Sequence, residues 1–124
     1  MKKIILILAI LFCSLVSFSQ TYIDCYKTTM FTVEDTKKYE ITTHIIVYKD
    51  YIQIQDNSNY ILSTINRTDE IVKFENNYGN GFYYNGIDLK NSSLNVGVVF
   101  FTSNSGLKTI SFKYENVMFT YYYN

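Results

Sequence analysis

The sequence predicts an all-β protein: a single small antiparallel β-barrel or sandwich of about seven to nine short strands in mostly meander order. Three observations carry this. Residues 41–55, ITTHIIVYKDYIQIQ, fold back on themselves in a register that gathers apolar side chains on one side. Residues 109–122 do the same about a second tip. Between them, short aromatic and β-branched runs alternate with clusters of Asn, Asp, Ser and Gly, the chain holds no proline, and no amphipathic helix stands out.

At the N-terminus, Lys2 and Lys3 precede an apolar run from Ile4 to Val16, followed by Ser17, Phe18 and Ser19. A basic start, a short apolar core and small residues before a cut make a secretory signal peptide, cleaved after Ser19. The run is shorter than the roughly 20 apolar residues of a spanning helix. Residues 1–19 therefore read as a cleaved signal and 20–124 as a single β domain, exported to the periplasm, cell surface or medium, with no integral membrane span after cleavage. A lipid-modified Cys13 is disfavoured by bulky Phe12 before it. Without the signal only Cys25 remains, which cannot form an internal disulfide and reads as a small buried apolar side chain, with pairing to a second molecule as the alternative. Losing Lys2 and Lys3 leaves nine basic against eleven acidic residues with no basic cluster, which argues against nucleic acid as partner.

Residues 21–33 have strand composition with loose alternation, and 34–38 read as a charged loop. Thr32 and Asp35 offer a capping box, but no amphipathic helix follows it. In the hairpin at 41–55, with Lys49 and Asp50 at the tip, Tyr48 faces Tyr51, Val47 faces Ile52, Ile46 faces Gln53 and Ile45 faces Ile54. Ile41, Ile45, Val47, Ile52 and Ile54 then share the buried side; His44, Ile46, Tyr48, Tyr51, Gln53 and Gln55 share the other. Residues 56–59 turn, 60–65 form a strand, 66–69 turn, and 70–75 form a strand with Val72 and Phe74 facing inward. Residues 76–81 read as a loop, and Asn85 with Gly86 as a type I′ tip that pairs Tyr84 with Ile87 and Phe82 with Leu89. After the polar stretch 90–95, the continuous apolar run 96–102, VGVVFFT, suits a strand buried on both faces, with Gly97 marking a bulge or a close backbone approach. The last hairpin turns at Glu115 and Asn116, pairing Tyr114 with Val117, Phe112 with Phe119 and Ile110 with Tyr121.

Chemistry is harder to find. His44 is the only histidine, so a triad or a metal site of converging His and Cys ligands has little to build on, and no metal or cofactor is expected. No serine sits in a strained nucleophile motif, and the one glycine cluster, Gly79 to Gly81, lacks a strand-to-helix context. Asp50, Asp56, Asp69, Glu70, Asp88 and Glu115 are carboxylates of the type that hydrolyse glycosides in pairs, yet most fall at tips where solvated acids belong. The aromatic residues remain. Consecutive tyrosines point to opposite faces, so exposed phenols offer flat apolar surface with a polar handle. The reading is a non-enzymatic binding domain for a small ligand or for a protein, peptide or glycan, acting through an aromatic face or a barrel mouth. Its candidate residues are His44, Tyr48, Tyr51, Gln53, Tyr83 and Tyr122. A protein-interaction module using an exposed strand edge is the alternative; a carboxylate hydrolase is a weaker one.

Overall fold

The computed structural model describes residues 20–39, 42–91 and 93–124, so the expected signal segment and Ile41 lie outside the described residues. Ten strands form: β1 (Thr21–Thr32), β2 (Thr36–Tyr39), β3 (Thr43–Val47), β4 (Tyr51–Gln55), β5 (Ile61–Arg67), β6 (Val72–Asn76), β7 (Gly79–Asp88), β8 (Leu94–Ser103), β9 (Lys108–Lys113) and β10 (Val117–Tyr123). They fill eight positions of a closed antiparallel barrel, because two positions each hold a consecutive pair of strands. β3 and β2 lie one beyond the other along β1, against residues 21–25 and 28–31. β5 and β6 lie likewise along β7, against residues 86–88 and 79–83. With each pair taken as one interrupted strand, sequence neighbours are spatial neighbours all the way round, and β10 closes on β1. The fold is thus the expected meander, in its barrel form.

The two hairpins that the sequence resolves best form in the expected register. Ile45 pairs with Ile54, Ile46 with Gln53 and Val47 with Ile52, and Tyr48 N–H donates to Tyr51 C=O at 2.9 Å. Phe112 pairs with Phe119 and Ile110 with Tyr121, and Tyr114 N–H donates to Val117 C=O at 2.8 Å. Facing pairs of this kind fill the barrel. Ile45, Ile52, Ile65, Val98, Ile110 and Phe112 are fully shielded, and such side chains contribute about 1.5–3 kcal/mol each. Cys25 joins them as a buried free thiol, pushed up to about 12 by burial and then by the neighbouring Asp24 charge.

Several expectations are corrected. Residues 34–38 are not simply a loop, because Thr36 to Tyr39 pair with β1 as β2. Thr32 and Asp35 do bond, but the Asp35 N–H to Thr32 Oγ1 contact, 3.1 Å, closes a β-turn and starts no helix. Residues 76–81 are also more than a loop, since β7 runs unbroken through Asn80, Gly81, Asn85 and Gly86. Its hairpin turns at Asn77 and Tyr78, where Asn76 Oδ1 accepts from the N–H groups of Tyr78 and Gly79 at 2.8 and 3.1 Å. Asn85 stays extended because the Asp69 carboxylate accepts from its backbone N–H and its Nδ2 at 2.8 and 2.7 Å. That bonding pulls the Asp69 carboxyl below its usual range.

Val72 and Phe74 face outward, not inward. Phe74 shares its register and face with Gly81 and Phe101, and its ring lies parallel to that of Phe101, 6.1 Å away. Finally, β8 alternates rather than being buried on both faces: Val96, Val98 and Phe100 point inward, while Val99 and Phe101 are only half-buried. Gly97 makes no bulge, because the β8 register with β7 and β9 is unbroken.

The connections after β1, β4, β7 and β9 share one rim, which becomes the mouth of the barrel; those after β3, β6 and β8 share the other. Among the described residues, no helix is long and apolar enough to cross a membrane.

Candidate functional site

The mouth is organised by a buried acid. Inner-face alternation along β7 runs Phe82, Tyr84, Gly86, Asp88, so the strand delivers a carboxylate where a core side chain is due. Asp88 is fully shielded from solvent. Four hydrogen bonds compensate for that: Oδ1 accepts from the N–H groups of Lys90 and Asn91 at 3.1 and 3.3 Å. Oδ2 accepts from Asn91 Nδ2 at 2.7 Å and from the Tyr114 hydroxyl at 2.5 Å. Two bonds to each oxygen satisfy a carboxylate that burial alone would strongly destabilise. Asn91 Nδ2 also donates to Ser63 Oγ, 3.2 Å away on β5, tying three elements together. Burial raises the Tyr114 phenol well above its usual range, and the bond to Asp88 and the Asp88 charge raise it further.

Above this cluster lies a cavity of about 350 Å³. Ser63, Asn91 and Tyr114 give it a polar side; Ile54, Phe112, Phe119 and Tyr121 form the apolar wall, and Leu62, Leu94 and Val117 complete it. The rings are set squarely: Phe112 meets Tyr121 edge to face at 5.6 Å and 78°, and Tyr114 meets Phe119 at 6.0 Å and 88°. Burial, followed by the nearby Cys25, pushes the Tyr121 phenol up to about 12. Thr28, the β1 residue paired with Tyr121, is buried with its hydroxyl unpartnered.

The cavity opens sideways as well. β8 pairs with β9 only from Gly97 onward, so residues 94–96 leave a slot beside the β9–β10 tip. A groove of about 870 Å³ runs through it past Asn85, Asn95, Gly97, Lys113 and Glu115, and shares Leu94, Tyr114 and Val117 with the inner cavity.

The residues singled out from sequence lie elsewhere. His44, Tyr48, Tyr51 and Gln53 share one strip on the outer face of β3 and β4 and its tip. The Tyr48 and Tyr51 rings stack at 4.2 Å and 12°, and His44 Nδ1 bonds to Asp24 Oδ1 at 2.6 Å across β1. Ile46, in the same strip, is buried yet stands apart from the core cluster. Tyr83 is exposed beside Phe74, 6.1 Å away, and Tyr122 lies 4.0 Å beneath the Lys27 ammonium. None of the six lines the mouth cavity. Tyr83 and Tyr122 stand on strands away from the β3–β4 strip, so the six form no single site.

Of the acids, Asp56 caps its own turn through Ser58 and Tyr60 N–H, and Asp50 pairs with Arg67 at 3.4 Å. Asp88 is no solvated tip but the centre of the mouth. Misreading Asn85 and Gly86 as a turn hid it; the parity of Phe82, Tyr84 and Asp88 was the signal that pointed there. Tyr114 continues the parity of Ile110 and Phe112 in the same way. Among the described residues, no group of three or more His, Cys, Asp or Glu could hold a metal ion. No protein-family model, curated protein or solved structure shows significant similarity to the chain, so the site is read from its own geometry.

Proposed function

We propose that this is an exported, non-enzymatic binding protein that holds a small amphiphilic ligand in the mouth of its barrel. The observation that carries the proposal is the cavity itself: apolar and aromatic walls with hydrogen-bonding groups gathered on one side, within the size range of small-molecule sites. None of its lining residues is an acid, histidine or cysteine, which favours retention over chemistry. Export is supported by the basic, apolar and small-residue pattern of residues 1–19. Water around the outer wall fits the outward placement of Asp24, His44, Gln53 and Lys113.

The chain has no tryptophan, so Leu94→Trp places a single reporter at the cavity. Titration with the neutral probe N-phenyl-1-naphthylamine is expected to give saturable one-to-one binding, lost when Val117→Trp obstructs the entrance. Uptake that never saturates, or that survives the obstruction, would rule the cavity out. A second reading, pairing of an exposed strand edge with a partner, is favoured by β6, which pairs only with β7 and is largely exposed. Proline at Lys73 and at Glu75, in separate variants, would separate this reading from the first by weakening partner capture without changing probe uptake.

A further inference from the structure

The charge balance around the mouth narrows the ligand class. Asp88 is wholly buried, and neither the His44–Asp24 pair on the outer face nor the Arg67–Asp50 pair, whose arginine shares the inward register of Ile65 and Gly86, involves it. No residue lining the cavity is charged. No lysine is among the residues that line the cavity. Lys90 gives Asp88 only its backbone N–H, while its ammonium bonds to the Ile61 carbonyl and sits 3.9 Å over the Tyr60 ring. Lys113 shares the outward register of Gly97 and lines the outer groove, and Lys37 shares the inward register of Met30 and Phe119 but is exposed at the rim. A buried carboxylate with its hydrogen bonds satisfied and no ion-pair partner among the described residues biases the cavity toward negative potential.

The aromatic walls act in the same direction. Phe112 with Tyr121, and Tyr114 with Phe119, are two near-perpendicular pairs in the cavity wall. Ring faces attract cations, most strongly where water is excluded. Ser63 Oγ and the Tyr114 and Asn91 side-chain oxygens add acceptors on the polar side. A carboxylate or phosphate would meet the same negative potential with no cation among the residues that line the cavity.

We propose that the cavity selects a small organic cation, an alkylammonium whose charged end lies among the aromatic rings and the acceptors above Asp88 and whose alkyl part lies against Ile54 and the apolar rim. The proposal rests on the reading of the cavity as a ligand site, and one matched series separates the two. The Leu94→Trp protein is titrated at neutral pH with hexylammonium, 1-hexanol and hexanoate. Hexylammonium is expected to bind at least about tenfold tighter than 1-hexanol, with hexanoate weakest. If 1-hexanol or hexanoate binds as tightly as hexylammonium, the cation proposal falls and the cavity reading stands. If none of the three saturates, both fall. Asp88→Asn is expected to bring hexylammonium and 1-hexanol to within about threefold of each other; an undiminished preference in a folded Asp88→Asn protein overturns the role of the acid. Should that variant not fold, the matched series alone decides the proposal.

Discussion

Asp88 and Tyr114 show how much one misplaced turn conceals. Each occupies the inward parity of its strand, which the sequence displays, but recognising Asp88 as buried requires knowing that β7 continues through Asn85 and Gly86. Asn–Gly is a strong turn signal only when nothing else claims the asparagine, and here the Asp69 carboxylate does so from 16 residues away. No local pattern announces a partner at that distance. Removing the hydroxyl in Tyr114→Phe leaves Asp88 Oδ2 short of a donor and is expected to cost about 1–3 kcal/mol, read as a lower urea midpoint with unchanged slope. Thr28→Val should behave in the opposite way. Its buried hydroxyl has no partner, so replacing it with a methyl group is expected to leave the melting temperature unchanged or raise it.

Among the elements, legibility followed facing pairs. The β3–β4 and β9–β10 hairpins were readable because apolar residues oppose one another at every second position, so a one-residue slip would expose the whole set. β6 was misoriented because its apolar parity serves an outer aromatic patch over Gly81 rather than the core. The glycines divide accordingly. A Cβ at Gly81 would lie 1.8 Å from the Phe100 carbonyl oxygen, whereas at Gly97 the nearest neighbour is 3.9 Å away. Gly81→Ala is therefore expected to destabilise by about 1–3 kcal/mol or more, and Gly97→Ala to be neutral or mildly stabilising, in parallel thermal melts. Equal losses from the two would contradict the packing described.

At the scale of the whole molecule, the interior responds to alkali. Cys25 rises from an ordinary 9.0 to about 12 and Tyr121 from 10.0 to about 12, both chiefly through burial. A raised pKa means that the folded state keeps its proton longer than the unfolded chain. The stabilisation is complete below about pH 9 and is lost as pH climbs from there toward 12. Melting temperature should fall across that window, and Cys25→Ala should flatten the early part of the decline. The barrel itself was legible as a class, but its eight positions were not, since the interruptions that split β2 from β3 and β5 from β6 depend on what each half meets along β1 and β7. The seam between β1 and β10 has one more consequence, and it concerns timing. The first strand to be made finds one of its two neighbours only when the last has arrived, so a chain delivered from its N-terminus must keep Cys25, Thr28 and Met30 uncovered until residues 117–123 emerge. Until that moment the barrel cannot close.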